Sequence, residues 1–274
     1  MLDAERLYHQ QLTDADRRLL RSVAGADVPA SVAFASDEME RAVFGPDRSA
    51  VVSVGVSPFL AFATAVHRTA AALATAHFVE ERWERRGRIP VFDVAALQTL
   101  LSDPGRRYFL VELLSSFTRV SSGVTWIRTA RGWRRRRFSE LDPVRLAELL
   151  EVVPAEERPG VYRRLGDVAL FLLGVFPDHP PLEGTGAATQ RMLRLSGLPA
   201  SRAADVDPRD LLEMLGARWY RSAVVSATAD GRPLTSALAL AGEMAAHFRD
   251  ARRALNAITD RYLFPWRGQW FRAG

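Results

Sequence analysis

The stretch "SPFLAFATAVHRTAAALATAH", Ser57–His77, decides the fold class of this chain. Its first two residues are typical of a helix start, because a serine side chain can accept an orphan backbone N–H and proline fits the first helical position. Its later part, "TAAALATAH", is small and apolar on all sides, which favours a position at the centre of a bundle. We therefore predict a long central helix over 58–86, ending before Gly87.

The same start signal, a capping aspartate before a proline, recurs before Pro104, Pro143 and Pro208. Apolar residues spaced three and four apart follow these starts, and the clearest such stripe lies between Met244 and Tyr262. The spacing predicts a mainly α fold, a multi-helix bundle. The predicted helices are 58–86, 93–102, 104–118, 143–152, 160–176, 208–226 and 236–263.

The composition predicts one domain spanning 1–274. The Pro- and Gly-rich stretch 177–207 is a predicted long loop and the only candidate internal boundary. No apolar run approaches the roughly 20 residues of a membrane span, so we expect no membrane insertion. The chain has no cysteine, which excludes disulfides and thiolate chemistry and favours the cytoplasm.

The stretch "GVTWIRTARGWRRRRFSE", Gly123–Glu140, interrupts the helical pattern with glycines and residues that favour strands. We predict one small β-hairpin over about 124–138, inserted near the middle of the chain and turning at Arg131 and Gly132. The predicted pairs are Ala130 with Trp133, Arg128 with Arg135, and Trp126 with Arg137. One face would then carry Trp126, Arg128, Trp133, Arg135 and Arg137.

Charge is concentrated in this hairpin. All 37 basic residues are arginine, and the net charge is +5. Seven arginines and no acid lie between Glu112 and Glu140, so this segment carries +7 and the remainder of the chain −2. Three interpretations stay open: a solvated basic face, a docking site for an acidic protein, or a contact to nucleic-acid phosphates. The candidate binding residues are Trp126, Arg128, Trp133, Arg134, Arg135, Arg136 and Arg137.

Motifs for catalysis are absent from the sequence. It contains no nucleophile elbow, phosphate-binding loop or dinucleotide fingerprint, and it has no lysine. The alternative is a di-iron site of histidines and carboxylates on two helices, although the Glu-x-x-His pairs of such proteins are missing. Its candidate ligands are His77, Glu81, Glu243, His247 and Asp250, of which the last three would share one row of a single helix.

Two further patterns have structural interpretations. Asp167 precedes an apolar run and is expected to pair with Arg163 or Arg164. The aromatic tail should be largely buried against the chain's own helices or a second copy. Its members are Tyr262, Phe264, Trp266, Trp270 and Phe271.

These patterns together favour a non-catalytic cytoplasmic protein of the interaction or regulatory kind, with the hairpin as its docking surface. We expect a protein partner and no cofactor or membrane, and self-association is compatible with the sequence. The alternatives are a metal-carboxylate oxidoreductase of the di-iron type and a nucleic-acid-binding protein that uses the arginine run.

Overall fold

The computed structural model describes most of the chain, in two compact units. Unit 1 comprises Met1–Thr118 and Arg253–Phe271, and unit 2 comprises Arg119–Arg252 and Arg272–Gly274. The single-domain organisation stays a prediction, and the predicted loop 177–207 lies largely outside the described residues. The described residues are 3–46, 55–82, 87–119, 122–129, 132–139, 141–177, 190, 192–194, 196–197, 206–229, 231, 233–264 and 270–271.

The predicted fold class is confirmed, because helices dominate the described residues and the strands form only small antiparallel pairs. Within those residues, no helix is both long enough and apolar enough to cross a membrane. Unit 1 begins with four helices that the sequence analysis did not predict. Its elements are α1 Ala4–Gln11, α2 Asp14–Ala24, α3 Ala30–Phe34, α4 Asp37–Phe44, α5 Pro58–Ala74, β1 Val79–Arg82, β2 Arg88–Val91, α6 Ala95–Ser102 and α7 Pro104–Ser116.

Unit 2 contains the predicted hairpin and the long helices of the second half. Its elements are β3 Ser122–Thr129, β4 Gly132–Ser139, α8 Pro143–Ala147, α9 Arg158–Val175, α10 Pro208–Thr228 and α11 Ser236–Ala246. Short 3-10 turns occupy Glu148–Glu151 and Ala155–Glu157. The division between the units falls within α12, Phe248–Ile258, which continues into a π-helical turn at Thr259–Leu263.

The predicted helix starts are confirmed at the atomic level. The side chains of Ser57, Asp103, Asp142 and Asp207 each accept a backbone N–H from the first turn that follows them. In each case the next residue is a proline at the start of the helix, where no donor is lost. These local signals therefore position α5, α7, α8 and α10.

The prediction that the central helix continues to residue 86 is wrong. Helix α5 ends at Ala74, and β1 then pairs with β2, with Val79 opposite Val91. The side chain of Gln98 donates a hydrogen bond of 2.9 Å to the carbonyl of Leu73, which satisfies an orphan acceptor at the helix end. Because this contact comes from α6, it is tertiary and the local sequence of α5 does not predict it. The strands β1 and β2 form a second hairpin, in addition to the predicted one.

The predicted helices 143–152 and 236–263 are also broken. The first becomes α8 followed by a 3-10 turn. The second is interrupted at His247, whose backbone N–H bonds to the carbonyl of Met244, three residues back, at 3.2 Å. A continuous apolar stripe in the sequence does not predict such a tightened turn, because the helical segments before and after it present the same residue types to the core.

The core of unit 1 forms around the first part of α5, whereas the segment 69–77, which the composition predicts to be central, is exposed in part, at Ala71 and Ala74. Helices α3, α4, α6 and α7 contact it, and Leu60, Phe62 and Val66 are fully buried. Alanines between these residues are buried as well, so neighbouring backbones approach closely. A helix that is apolar on all sides is the expected centre of such a packing.

In unit 2, α9 and α10 form the main packing pair. Two glycines permit their close approach. A Cβ at Gly166 of α9 would lie 2.4 Å from the ring of Tyr220 on α10, and one at Gly216 of α10 would lie 2.9 Å from the Cβ of Ala169 on α9. Both distances are shorter than any real contact of a Cβ atom, so only glycine fits these helix surfaces.

Candidate functional site

The predicted hairpin is present, with a corrected register. Trp126 lies opposite Arg135 and Arg128 opposite Trp133, whereas the sequence analysis paired Arg128 with Arg135. The reason lies at Gly132, which was expected at the centre of the turn. It is instead the first residue of β4, with a φ of 105°, and it pairs with Thr129.

The register shift leaves the composition of each face unchanged. It equals two residues, and side chains of a strand alternate between faces with a period of two. Trp126 and Trp133 are 62% and 65% exposed, and Arg135 is exposed between them. The side chains of four candidates lie outside the described part of the structure; they belong to Arg128, Arg134, Arg136 and Arg137.

Each tryptophan therefore lies directly opposite an arginine position on one face. Directly paired residues of an antiparallel ladder have Cβ atoms about 4.5–5.5 Å apart. Position 137 continues this face, whereas positions 134 and 136 belong to the opposite one. The basic run is thus divided between two surfaces, and only one of them carries the indoles.

The five candidate metal ligands all lie among the residues that the structure describes. Glu81 on β1 forms an ion pair of 2.6 Å with Arg253. The row of Glu243, His247 and Asp250 is not on one helix as predicted, because α11 ends before His247. Among the residues that the structure describes, no group of three or more histidines and carboxylates could hold a metal ion.

Asp167 has the structural partner that the sequence predicts. It is buried on α9 and lies 3.8 Å from the Nε of Arg163, one turn before it. The hydroxyl of Tyr220 donates a hydrogen bond of 2.8 Å to Asp167, and burial together with this carboxylate raises the pKa of Tyr220. The buried acid therefore joins α9 to α10.

The aromatic tail is buried in part. Tyr262 is buried and contacts the ring of Phe44, with ring centroids 5.1 Å apart. Phe271 is buried and stacks on Phe62 at 5.7 Å, and Trp270 contacts the same ring at 5.2 Å. These rings seal the core of unit 1 beside α5.

Phe264 is 46% exposed, so the chain's own helices do not bury it. Trp266 lies outside the described residues. Phe264 directly follows the π-helical turn, where the widened backbone changes the helical spacing on which the predicted stripe depends. A sequence pattern with a period of 3.6 residues cannot anticipate that change.

A buried histidine on α5 was not among the candidate site residues predicted from the sequence. His67 is 4% exposed, and its Nε2 lies 2.9 Å from the hydroxyl of Tyr8. Its burial, with the nearby cation of Arg107, lowers the pKa of His67 to about 3, although a hydrogen bond to the backbone of Ser31 opposes that shift. The available signal was its place directly after the apolar run Phe59–Val66, where a polar ring needs fixed partners.

This histidine should make stability depend on acid. In the unfolded chain its pKa is about 6.5, so protons bind the unfolded chain first as the pH falls. Stability is complete above about pH 6.5 and declines progressively toward about pH 3. Between pH 7.5 and pH 5, we expect the native chain to lose about 2 kcal/mol more than a His67→Gln variant, measured by urea unfolding.

The control for this experiment is His77→Gln, which removes an exposed histidine. Its stability should follow the pH dependence of the native chain. Only the slopes are compared, so a constant loss of stability in His67→Gln does not affect the test. Parallel curves for the native chain and His67→Gln would contradict the prediction.

Comparisons with known proteins provide no information on function, so the function has to be inferred from the chain's own residues. No protein-family model, curated protein or solved structure matches it. Two features of the described surface are candidate binding sites: the exposed Trp126 and Trp133 of the basic hairpin, and a groove beside His67.

Proposed function

We propose that this is a non-catalytic protein of the interaction or regulatory kind, which binds an acidic protein partner through the indole-bearing face of its hairpin. One observation carries the proposal. Trp126 and Trp133 are both largely exposed on the same face, each directly opposite an arginine. A cytoplasmic location belongs to the proposal, because the chain contains no cysteine that an oxidising compartment could crosslink.

Exposed indoles are the first argument. A tryptophan side chain offers about 150–250 Å² of surface, and burying it against a partner is strongly favourable. Tryptophan and arginine are also the residues that most often dominate the binding energy of protein interfaces. Two such rings, side by side on one small face, form the kind of patch that a partner covers.

Charge is the second argument. The segment between Glu112 and Glu140 carries +7, while the remainder of the chain sums to −2. An acidic surface is therefore attracted to the hairpin more than to the remainder of the chain. Such complementarity accelerates association and excludes partners of like charge.

The division of arginines between two faces favours a protein over nucleic acid. Along β4, positions 135 and 137 accompany the indoles, and positions 134 and 136 belong to the other side. A phosphate backbone requires cations along one continuous surface, since affinity grows with the number of phosphates neutralised at once. A protein partner needs only a few acids beside an apolar centre.

The test uses a double variant, Trp126→Thr with Trp133→Thr, because threonine suits an exposed strand. Proteins captured from the native host by the whole chain are identified, and each is then purified and titrated directly. The double variant should weaken the affinity of the true partner by at least about 30-fold, corresponding to about 2 kcal/mol for hot-spot tryptophans. Its melting temperature should stay close to that of the native chain, since both rings are exposed.

Two controls make the result specific. Phe92→Thr removes an exposed aromatic residue outside the hairpin, and Arg18→Gln removes an exposed arginine on α2. Neither should change the affinity, whereas Arg135→Gln should reduce it. Tight binding to random DNA at physiological salt, lost in the tryptophan and Arg135 variants, would favour the nucleic-acid alternative. A partner bound equally by all variants would refute the docking surface.

A further inference from the structure

A groove on unit 1 has the features of a small-molecule site, independent of the hairpin. It has a volume of about 540 Å³ and lies between α3, α5, α6 and the start of α7. Pockets for small ligands commonly occupy about 300–1,000 Å³ and combine an apolar lining with a few polar groups. This groove meets both conditions.

Small apolar side chains form one part of its lining. Ala70, Ala71 and Ala74 follow one another along α5, and Val32 on α3 faces the same groove. Their short side chains leave the surface of α5 uncovered beside the bulkier core. This part of the groove can accept an apolar body of a ligand and offers it no hydrogen bonds.

Arg107 is the only charged group of the lining, which contains no carboxylate. Its Nη1 donates hydrogen bonds of 2.6 Å to the carbonyl of Leu101 and 3.2 Å to that of Ser102. These two bonds fix the guanidinium at the carboxyl end of α6. The edge formed by Nε and Nη2 points away from this anchor.

That edge lacks acceptors. The Nε of Arg107 is buried and has no hydrogen-bond partner among the described residues. A buried donor left without an acceptor is destabilising, so an acceptor supplied by a ligand would be favoured. The edge of Nε and Nη2 is also the side on which an arginine holds a carboxylate with two parallel hydrogen bonds.

We propose that this groove binds a small monocarboxylate with an apolar body, with its carboxylate on Arg107 and its body along the alanines of α5. The lining holds one cation and no carboxylate, which matches a single negative charge, and a phosphate dianion would leave charge uncompensated. A small rotation of the guanidinium lets a carboxylate on Nη2 reach Nε as well.

His67 completes the groove without adding charge. It lines the groove and is held by Tyr8 on its inner side. Burial keeps its ring neutral at physiological pH, since its pKa lies near 3. The selectivity between an acid and its uncharged analogue therefore depends on Arg107 alone.

The test titrates the full chain with octanoate and 3-phenylpropanoate, and with their amides, by calorimetry at neutral pH. We expect saturable binding of at least one acid and binding of its amide that is about 10- to 100-fold weaker, since charge-assisted hydrogen bonds are lost. Arg107→Gln should abolish the preference for the acid. Arg18→Gln, which removes an exposed arginine of the same unit, should bind as the native chain does.

A second variant keeps the test decisive if Arg107→Gln does not fold. Ala71→Phe fills the groove from an exposed position of α5 and leaves Arg107 in place. It should abolish acid binding while its melting curve stays cooperative. The proposal is overturned if neither acid binds saturably at millimolar concentration, if acid and amide bind equally, or if Ala71→Phe binds like the native chain.

Discussion

Replacing Phe271 by alanine should lower the free energy of unfolding by about 3–5 kcal/mol. Its ring is 5% exposed and stacks nearly parallel on Phe62, with an angle of 8° between the rings. Phe62 is itself fully buried in α5, so the cavity would open directly onto the core of unit 1. The backbone cannot collapse into this space without disturbing the central helix.

The matched control lies in the same tail. Phe264→Ala removes an identical side chain that is 46% exposed, and it should cost well under half as much. Both values come from urea unfolding with a common slope, which excludes a change in the denatured state. Equal effects of the two variants, or a Phe271→Ala variant as stable as the native chain, would mean that the tail does not seal the core.

Replacing Arg253 by glutamine should cost about 3 kcal/mol or more. This arginine is 6% exposed, and its Nε and Nη1 lie 2.6 Å from Glu81 and 3.2 Å from Asp93. Its Nη2 also donates to the backbone carbonyl of Asp93 at 3.0 Å. Removing the cation leaves the half-buried carboxylate of Glu81 without its partner, whereas the exposed Asp93 can be solvated.

The adjacent residue supplies the control. Arg252 forms an ion pair of the same length, 2.6 Å, with Glu213, but both side chains are about a quarter exposed. Arg252→Gln should therefore cost less than Arg253→Gln, because the Arg252 cation is four times as exposed. Calorimetric melting of both variants measures the difference. A cost for Arg253→Gln no larger than that for Arg252→Gln would show that the deeper burial of Arg253 adds nothing to stability.

Local signals explain which parts of the fold were predictable. The starts of α5, α7, α8 and α10 depend on a side chain and the two or three residues after it, so the sequence displays them directly. A different local signal precedes α2, where Thr13 and Asp16 form a capping box, and it could have predicted that helix. The end of α5 was not predictable, because Gln98 satisfies its last carbonyls from another helix.

The hairpin shows a different limit. The alternation of residues fixes which of them share a face, and this survived a register that was wrong by two positions. The register itself depends on which residue begins the turn. From the sequence alone, Gly132 could be either a turn residue or the first residue of β4. Exposure of Trp126 and Trp133 depends on what packs against the strands, which the local sequence does not contain.

The groove beside His67 could not be predicted from spacing. Its lining comes from α3, α5, α6 and α7, and none of these segments carries a motif. Arg107 is a candidate ligand-binding residue there only because the carbonyls of Leu101 and Ser102 fix one end of its guanidinium. Such a site arises from the packing of ordinary residues, and only three-dimensional structure displays it.

The split composition of unit 1 has a consequence for synthesis on the ribosome. Its first part ends at Thr118, yet it is completed by Arg253–Phe271, after the whole of Arg119–Arg252 has been made. Translation proceeds at about 5–20 residues per second, so Phe271 is synthesised about 10–40 s after Phe62. During that interval the apolar surface of α5 has no tail to cover it, and the later segment 119–252 can fold first. The nascent chain is therefore most exposed to aggregation, and most in need of chaperones, through its amino-terminal half.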